Sequence, residues 1–123
     1  MEKKDKKTLV LGASANPSRY SFLAVNKLRG NGYPVVAIGK KEEAIADVKI
    51  FTEKILVENI DTVTLYLNPA HQKEYYEYIV SLNPKRIIFN PGTENPELSK
   101  IATANGIEPV QACTLVLLAT GQY

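Results

Sequence analysis

Apolar residues in this chain fall into short uninterrupted runs, separated by stretches in which they recur every three or four positions. The runs read as buried strands and the periodic stretches as helices with one face inward. Thr8 to Leu11 is a β-branched and aliphatic run that stops at Gly12. Phe22, Val25 and Leu28 follow at helical spacing as far as Gly30-Asn31-Gly32, and Pro34 then leads into a second run, Val35 to Ile38, which leaves through Gly39. Two fully apolar strands on either side of a helix imply parallel pairing with a right-handed crossover.

The alternation continues to the end of the chain. Val48 to Phe51 is a minor edge strand or a mere connection, and Thr52 is placed to cap a short helix through Asn59 with Ile55 and Leu56 inward. Thr62 to Leu67 is a third core strand, leaving into Asn68-Pro69, a cap followed by the residue best suited to the first helical position. Tyr75, Tyr76, Ile79, Val80 and Leu82 form the apolar face of the next helix, which ends near Asn83-Pro84. Arg86 to Phe89 is a fourth strand with the exit Asn90-Pro91-Gly92, and Asn95-Pro96 starts a helix carrying Leu98, Ile101 and Ala102 that stops at Gly106. Glu108 to Gln111 is a fifth strand, and Thr114 caps a last helix, Leu115 to Thr120. The pattern predicts an α/β fold with three layers, a doubly wound parallel five-stranded sheet in the order 3-2-1-4-5.

Composition narrows the class without naming a function. At 123 residues the chain is expected to form one domain, residues 8–123, behind a flexible basic tail, residues 1–7. A hydrophobic share of 45% and a charged share of 23% suit a globular protein, and a net charge of +2 is too small to argue for nucleic acid. No apolar run is long enough to span a bilayer and MEKKDKK lacks the apolar core of a signal peptide, so no membrane is expected. With a single cysteine there is no internal disulfide, and a cytoplasmic location is the expectation.

The chemistry sits at the strand exits. In an open parallel sheet the loops at the strands' carboxyl ends form the ligand crevice. Gly12 lets the backbone turn close to a ligand, and Ala13, Ser14, Asn16, Arg19, Tyr20 and Ser21 follow around a helix start, where amides and a guanidinium attract phosphate. The blander reading has Ser18 or Ser21 capping the helix and Arg19 on the surface. The dinucleotide fingerprint G-x-G-x-x-G is absent, and the second strand ends in Gly39-Lys40-Lys41 where an NAD site carries an acidic residue. Two ammonium groups there favour a ribose that bears its own phosphate, as in coenzyme A or NADP, unless Glu42 and Glu43 neutralise them. Asn68-Pro69 and Asn90-Pro91-Gly92 make firm polar rims on the other side.

GASANPSRYS, GYPVVAIGKK, LYLNP, FNPGTEN and GIEPVQACTLVLL, in this order, resemble the stand-alone bacterial CoA-binding domain proteins. Their Rossmann-like domain is related to the CoA-binding part of the succinyl-CoA synthetase alpha subunit. The resemblance implies that Gly12, Ser14, Asn16, Arg19 and Ser21 line the phosphates, that Lys40 lies at the adenine ribose, and that Asn68 and Pro69 lie at the adenine. Relatives often carry Asn-Pro after the second strand and a Trp-x-x-Gly pattern after the fourth. This chain has Gly39-Lys40 and Phe89-Asn90-Pro91-Gly92 there.

Catalytic sets are harder to find. His71 is the only histidine, and no Cys and His cluster fits a metal. A binding module for coenzyme A or an acyl-CoA is therefore preferred over an NADP-dependent oxidoreductase component and over a protein-interaction subunit. A homo-oligomer or a partner enzyme subunit is left open. Cys113, at the fifth strand's exit, is read as a buried hydrophobe or, less simply, as a thiol that meets the thiol end of coenzyme A.

Overall fold

A computed structural model describes residues 6–123 of the chain, so most of the expected tail, residues 1–5, lies outside the described residues. Lys6 and Lys7 are tied down: their ammonium groups donate to the carbonyls of Tyr123 and Glu58. The strands are β1 (Thr8–Ala13), β2 (Val35–Gly39), β3 (Ala44–Ile45), β4 (Val48–Phe51), β5 (Thr62–Leu65), β6 (Arg86–Phe89) and β7 (Glu108–Gln111). The helices are α1 (Tyr20–Gly30), α2 (Pro69–Gln72), α3 (Tyr76–Leu82), α4 (Pro96–Ala104) and α5 (Thr114–Ala119), with a 3₁₀ turn at Lys73–Tyr75 between α2 and α3.

All of these strands join one seven-stranded sheet in the order β3-β4-β2-β1-β5-β6-β7. Every pairing is parallel except β3 with β4. The α/β doubly wound architecture is as expected, but the strand order is corrected. Val48–Phe51, read as a minor piece, pairs with β2 through Ala37↔Ile50 and Ile38↔Phe51 and takes the place expected for the Thr62 strand. The Thr62 strand instead lies on the other side of β1, in register Leu9↔Val63 and Leu11↔Leu65. A strand of this length pairs over so few residues that its apolar run is hard to tell from a buried connection.

Period-two alternation divides the core into two layers. Leu9, Leu11, Val63, Leu65, Ile87 and Phe89 face Ile79 of α3 and Leu98 and Ala102 of α4. Val10, Ala37 and Ile88 face Val25 and Leu28 of α1, with Leu117 and Leu118 of α5 at the margin. At the amino-terminal ends of the central strands Tyr123 closes this second layer. Its ring meets Tyr33 edge-on at 4.9 Å and lies 4.4 Å from the Arg86 guanidinium, and its hydroxyl shares a 2.5 Å hydrogen bond with Thr8.

The helix expected from Thr52 to Asn59 is absent. Residues 52–61 form an extended strap in which Ile55 and Val57 pack against the core while Leu56 between them is fully exposed. That in-out-in order belongs to extended chain, and a helix would have turned Ile55 and Leu56 to one side. Side chains from elsewhere satisfy the strap's carbonyls: Tyr78 donates to Ile55, and Lys7 to Glu58. The single helix expected over the tyrosines is broken by the 3₁₀ turn, and α5 starts one residue early, with Cys113 rather than Thr114 as its N-cap.

Candidate functional site

The carboxyl ends of β1, β2, β5, β6 and β7 all open on one pole, and the residues expected at the site lie on the loops that leave them. Two glycines set how closely these loops pack. Gly12 has φ +90°, and a Cβ there would stand 2.8 Å from the carbonyl carbon of Tyr66. Gly39 pairs with Ala13, and a Cβ on it would collide with the Ala13 carbonyl oxygen. Both glycines are therefore demanded by strand-to-strand approach, a stronger reason than a ligand passing over them. The pairing also brings Lys40 and Lys41, one and two residues past Gly39, beside the start of the first loop.

The first loop folds on its own polar groups. The Ser14 amide donates to Ser21 Oγ at 3.2 Å, the Asn16 amide to Ser14 Oγ at 3.1 Å, and the Ser18 amide and hydroxyl to Asn16 Oδ1 at 3.0 and 2.8 Å. The expected serine cap is not formed. The N-cap of α1 is Arg19, whose side chain accepts nothing, and the nearly buried Ser21 spends its oxygen on Ser14 instead. As a result the backbone N–H groups of Ala15, Tyr20 and Ser21 have no acceptor among the described residues. The Arg19 guanidinium and the Lys40 and Lys41 ammonium groups make no hydrogen bond or ion pair there either, so Glu42 and Glu43 form no direct pair with the lysines. Free amides at the positive end of a helix dipole, flanked by unpaired cations, make a site for an anion.

On the β5 side of β1 the loops are clamped from beneath. Asn68 caps α2 by accepting from the His71 amide at 3.1 Å, with Pro69 in the first turn, and both are exposed. Gln72, wholly buried and unnoticed in the sequence, donates to the carbonyls of Leu67 and Thr93 at 2.9 Å each and accepts from Asn95. Asn90 is also spent on the fold: it donates to Thr64 Oγ1 and the Leu65 carbonyl and accepts from the Thr114 amide at 2.8 Å. Its neighbours Pro91 and Gly92 are exposed and leave the loop's tip open to the rim.

Tyr66 is the second residue that sequence reasoning passed over. Its amide donates to the Leu11 carbonyl, which places it beside Gly12 at the end of β1, and its hydroxyl is buried with no hydrogen-bond partner among the described residues. Burial pushes the phenol up to about 12, against the pull of the Thr114 and Thr64 hydroxyls near it, which are bonded to each other at 2.8 Å. Cys113 is half-buried at the start of α5. No group of His, Cys, Asp or Glu among the described residues is arranged to hold a metal ion. No helix among them is long and apolar enough to cross a membrane.

A family model described as the CoA binding domain matches residues 6–119. Among solved structures, that of a protein described only as uncharacterized is 49% identical and superposes with a TM-score of 0.93 over 96% of this chain and 98% of its own. A hypothetical protein from Pyrococcus horikoshii OT3 is 28% identical, with a TM-score of 0.82 over 90% of this chain and 80% of its own. The dinucleotide-forming acetyl-coenzyme A synthetase 1 of Ca. Korarchaeum cryptofilum shares the fold, with 16% identity and a TM-score of 0.70 over 89% of this chain and 26% of its own. No curated protein matches the chain.

Proposed function

The chain belongs to the CoA-binding domain family, and we propose that it is a binding module for coenzyme A or an acyl-CoA, held across the carboxyl-end pole. The observation that carries this reading is the uncapped start of α1, where the free amides of Ala15, Tyr20 and Ser21 stand with the unpaired Arg19. The diphosphate lies over those amides and Arg19 grips it with two parallel N–H groups. Lys40 and Lys41, brought alongside by the Ala13↔Gly39 pairing, take the ribose phosphate. Asn68, Pro69, Pro91 and Gly92 form the opposite lip.

Titration calorimetry with coenzyme A, dephospho-coenzyme A, NADP and NAD tests the reading. Coenzyme A is expected to bind best. Replacing Lys40 and Lys41 together by Ala is expected to erase its advantage over dephospho-coenzyme A, since a charge-assisted contact contributes about 1.5 to 3 kcal/mol. A double variant that still discriminates moves the ribose phosphate elsewhere, and NADP outcompeting coenzyme A overturns the assignment.

A further inference from the structure

α3 has a different neighbour on each flank. On one flank it holds the strap: Tyr78 donates to the Ile55 carbonyl and Lys54 to the Glu74 carbonyl, each at 2.6 Å, with the Lys54 ammonium 5.2 Å from the centre of the Tyr75 ring. The strap so held carries Leu56 entirely into solvent. On the other flank α3 and α4 border an open groove of about 450 Å³ lined by Tyr76, Glu77, Val80, Ser81 and Ile101. The exposed leucine on its anchored strap and the apolar groove on the same helical layer would both gain by leaving water together.

We propose that a second copy of this chain covers this face, Leu56 of each copy entering the α3–α4 groove of the other about a two-fold axis over the outward side of α3. Knob and groove stand on opposite flanks of one helix. The half-turn that seats one leucine therefore seats the other, which is the self-complementarity an isologous contact needs. Charge agrees with this placement. Glu77 in the groove has no ion-pair partner among the described residues, and Lys54, two residues before the knob, is bonded only to a carbonyl and a ring. Each Lys54 thus meets the other copy's Glu77. The aromatic rings of Tyr76 and Tyr78 supply the kind of area found at interface centres. The face is made by the strap, α3 and α4, α1 and its free amides belong to the opposite layer, and none of the residues proposed to hold the ligand lines the groove, so Leu56→Asp separates dimer formation from ligand binding.

Sedimentation velocity and light scattering on the whole chain over a dilution series test the proposal, with a dimer expected. Leu56→Asp is expected to weaken it at least about tenfold, with thermal unfolding of the monomer and its response to coenzyme A unchanged, because Leu56 packs against nothing in its own chain. Glu77→Lys, which sets a second ammonium against Lys54 of the other copy, is expected to weaken the dimer, and Glu77→Gln to weaken it less. The proposal is overturned by a wild-type monomer throughout the series, by a dimer that Leu56→Asp leaves intact, or by a dimer that Glu77→Lys leaves intact. Species that grow beyond a dimer with concentration overturn the two-fold arrangement.

Discussion

At the scale of single residues, the rim is governed by groups whose task is packing as much as by groups free to meet a ligand. Gly39 faces the Ala13 carbonyl so closely that Gly39→Ala must push β1 and β2 apart, and it is expected to cost about 2 to 4 kcal/mol in chemical denaturation. Tyr66 behaves in the opposite way. Its hydroxyl has no partner among the described residues, so Tyr66→Phe is expected to leave stability at pH 7 unchanged or slightly higher. The pH dependence follows from its raised phenol. Below pH 10 the folded and unfolded states both keep the proton, whereas between 10 and about 12 only the folded state does, so stability falls across that window. The buried Tyr123 phenol, also raised, adds to the fall. Tyr66→Phe is expected to reduce the wild-type loss by about 2 kcal/mol, read from denaturation at stepped alkaline pH. Sequence reasoning singled out Arg19, Lys40, Lys41 and Asn68, which are exposed and chemically conspicuous. It passed over Gln72 and Tyr66, because a buried polar side chain looks like any other until its partners are known.

At the scale of elements, the two Asn-Pro helix starts look alike in sequence and differ in their surroundings. Asn68 is exposed and makes only its capping bond, so Asn68→Ala is expected to cost about 1 kcal/mol. Asn95 makes the same kind of cap to Leu98 but is buried and also donates to Gln72 and Tyr76. Asn95→Ala therefore leaves buried groups without partners and is expected to cost about 3 kcal/mol in the same assay. Five of the strands and the starts of α2 and α4 were legible because β-branched runs and Asn-Pro pairs are local signals. The strap was not, since Ile55, Leu56 and Val57 suit helix and extended chain equally by hydrophobicity, and the choice was made by Tyr78 and Lys7 from distant parts of the chain. The Val48–Phe51 strand was misjudged for a related reason: its membership depends on two residues of β2.

At the scale of the whole molecule, the sheet has one pole built of free amides and cations and another where Tyr123 packs against Tyr33, Arg86 and Thr8. A ligand that enters the first stabilises the native state by mass action, so coenzyme A at a hundred times its dissociation constant is expected to add about 2.7 kcal/mol, seen as a rise in melting temperature. That rise should vanish when Arg19, Lys40 and Lys41 are all replaced by Ala, while the melting temperature without ligand stays nearly the same, because those exposed side chains make no hydrogen bond or ion pair among the described residues. The Tyr123 pole bears on the order of events in folding. The bond between Tyr123 and Thr8 joins residues 115 apart in sequence, and a contact that closes so long a loop forms only after the strands between have condensed. Docking of Tyr123 then lies on the native side of the rate-limiting barrier. Tyr123→Ala, at a cost of about 3 kcal/mol, is expected to quicken unfolding roughly a hundredfold and leave the refolding arm of the chevron where it was. The residue that seals the fold would thereby set how long it lasts rather than how fast it forms.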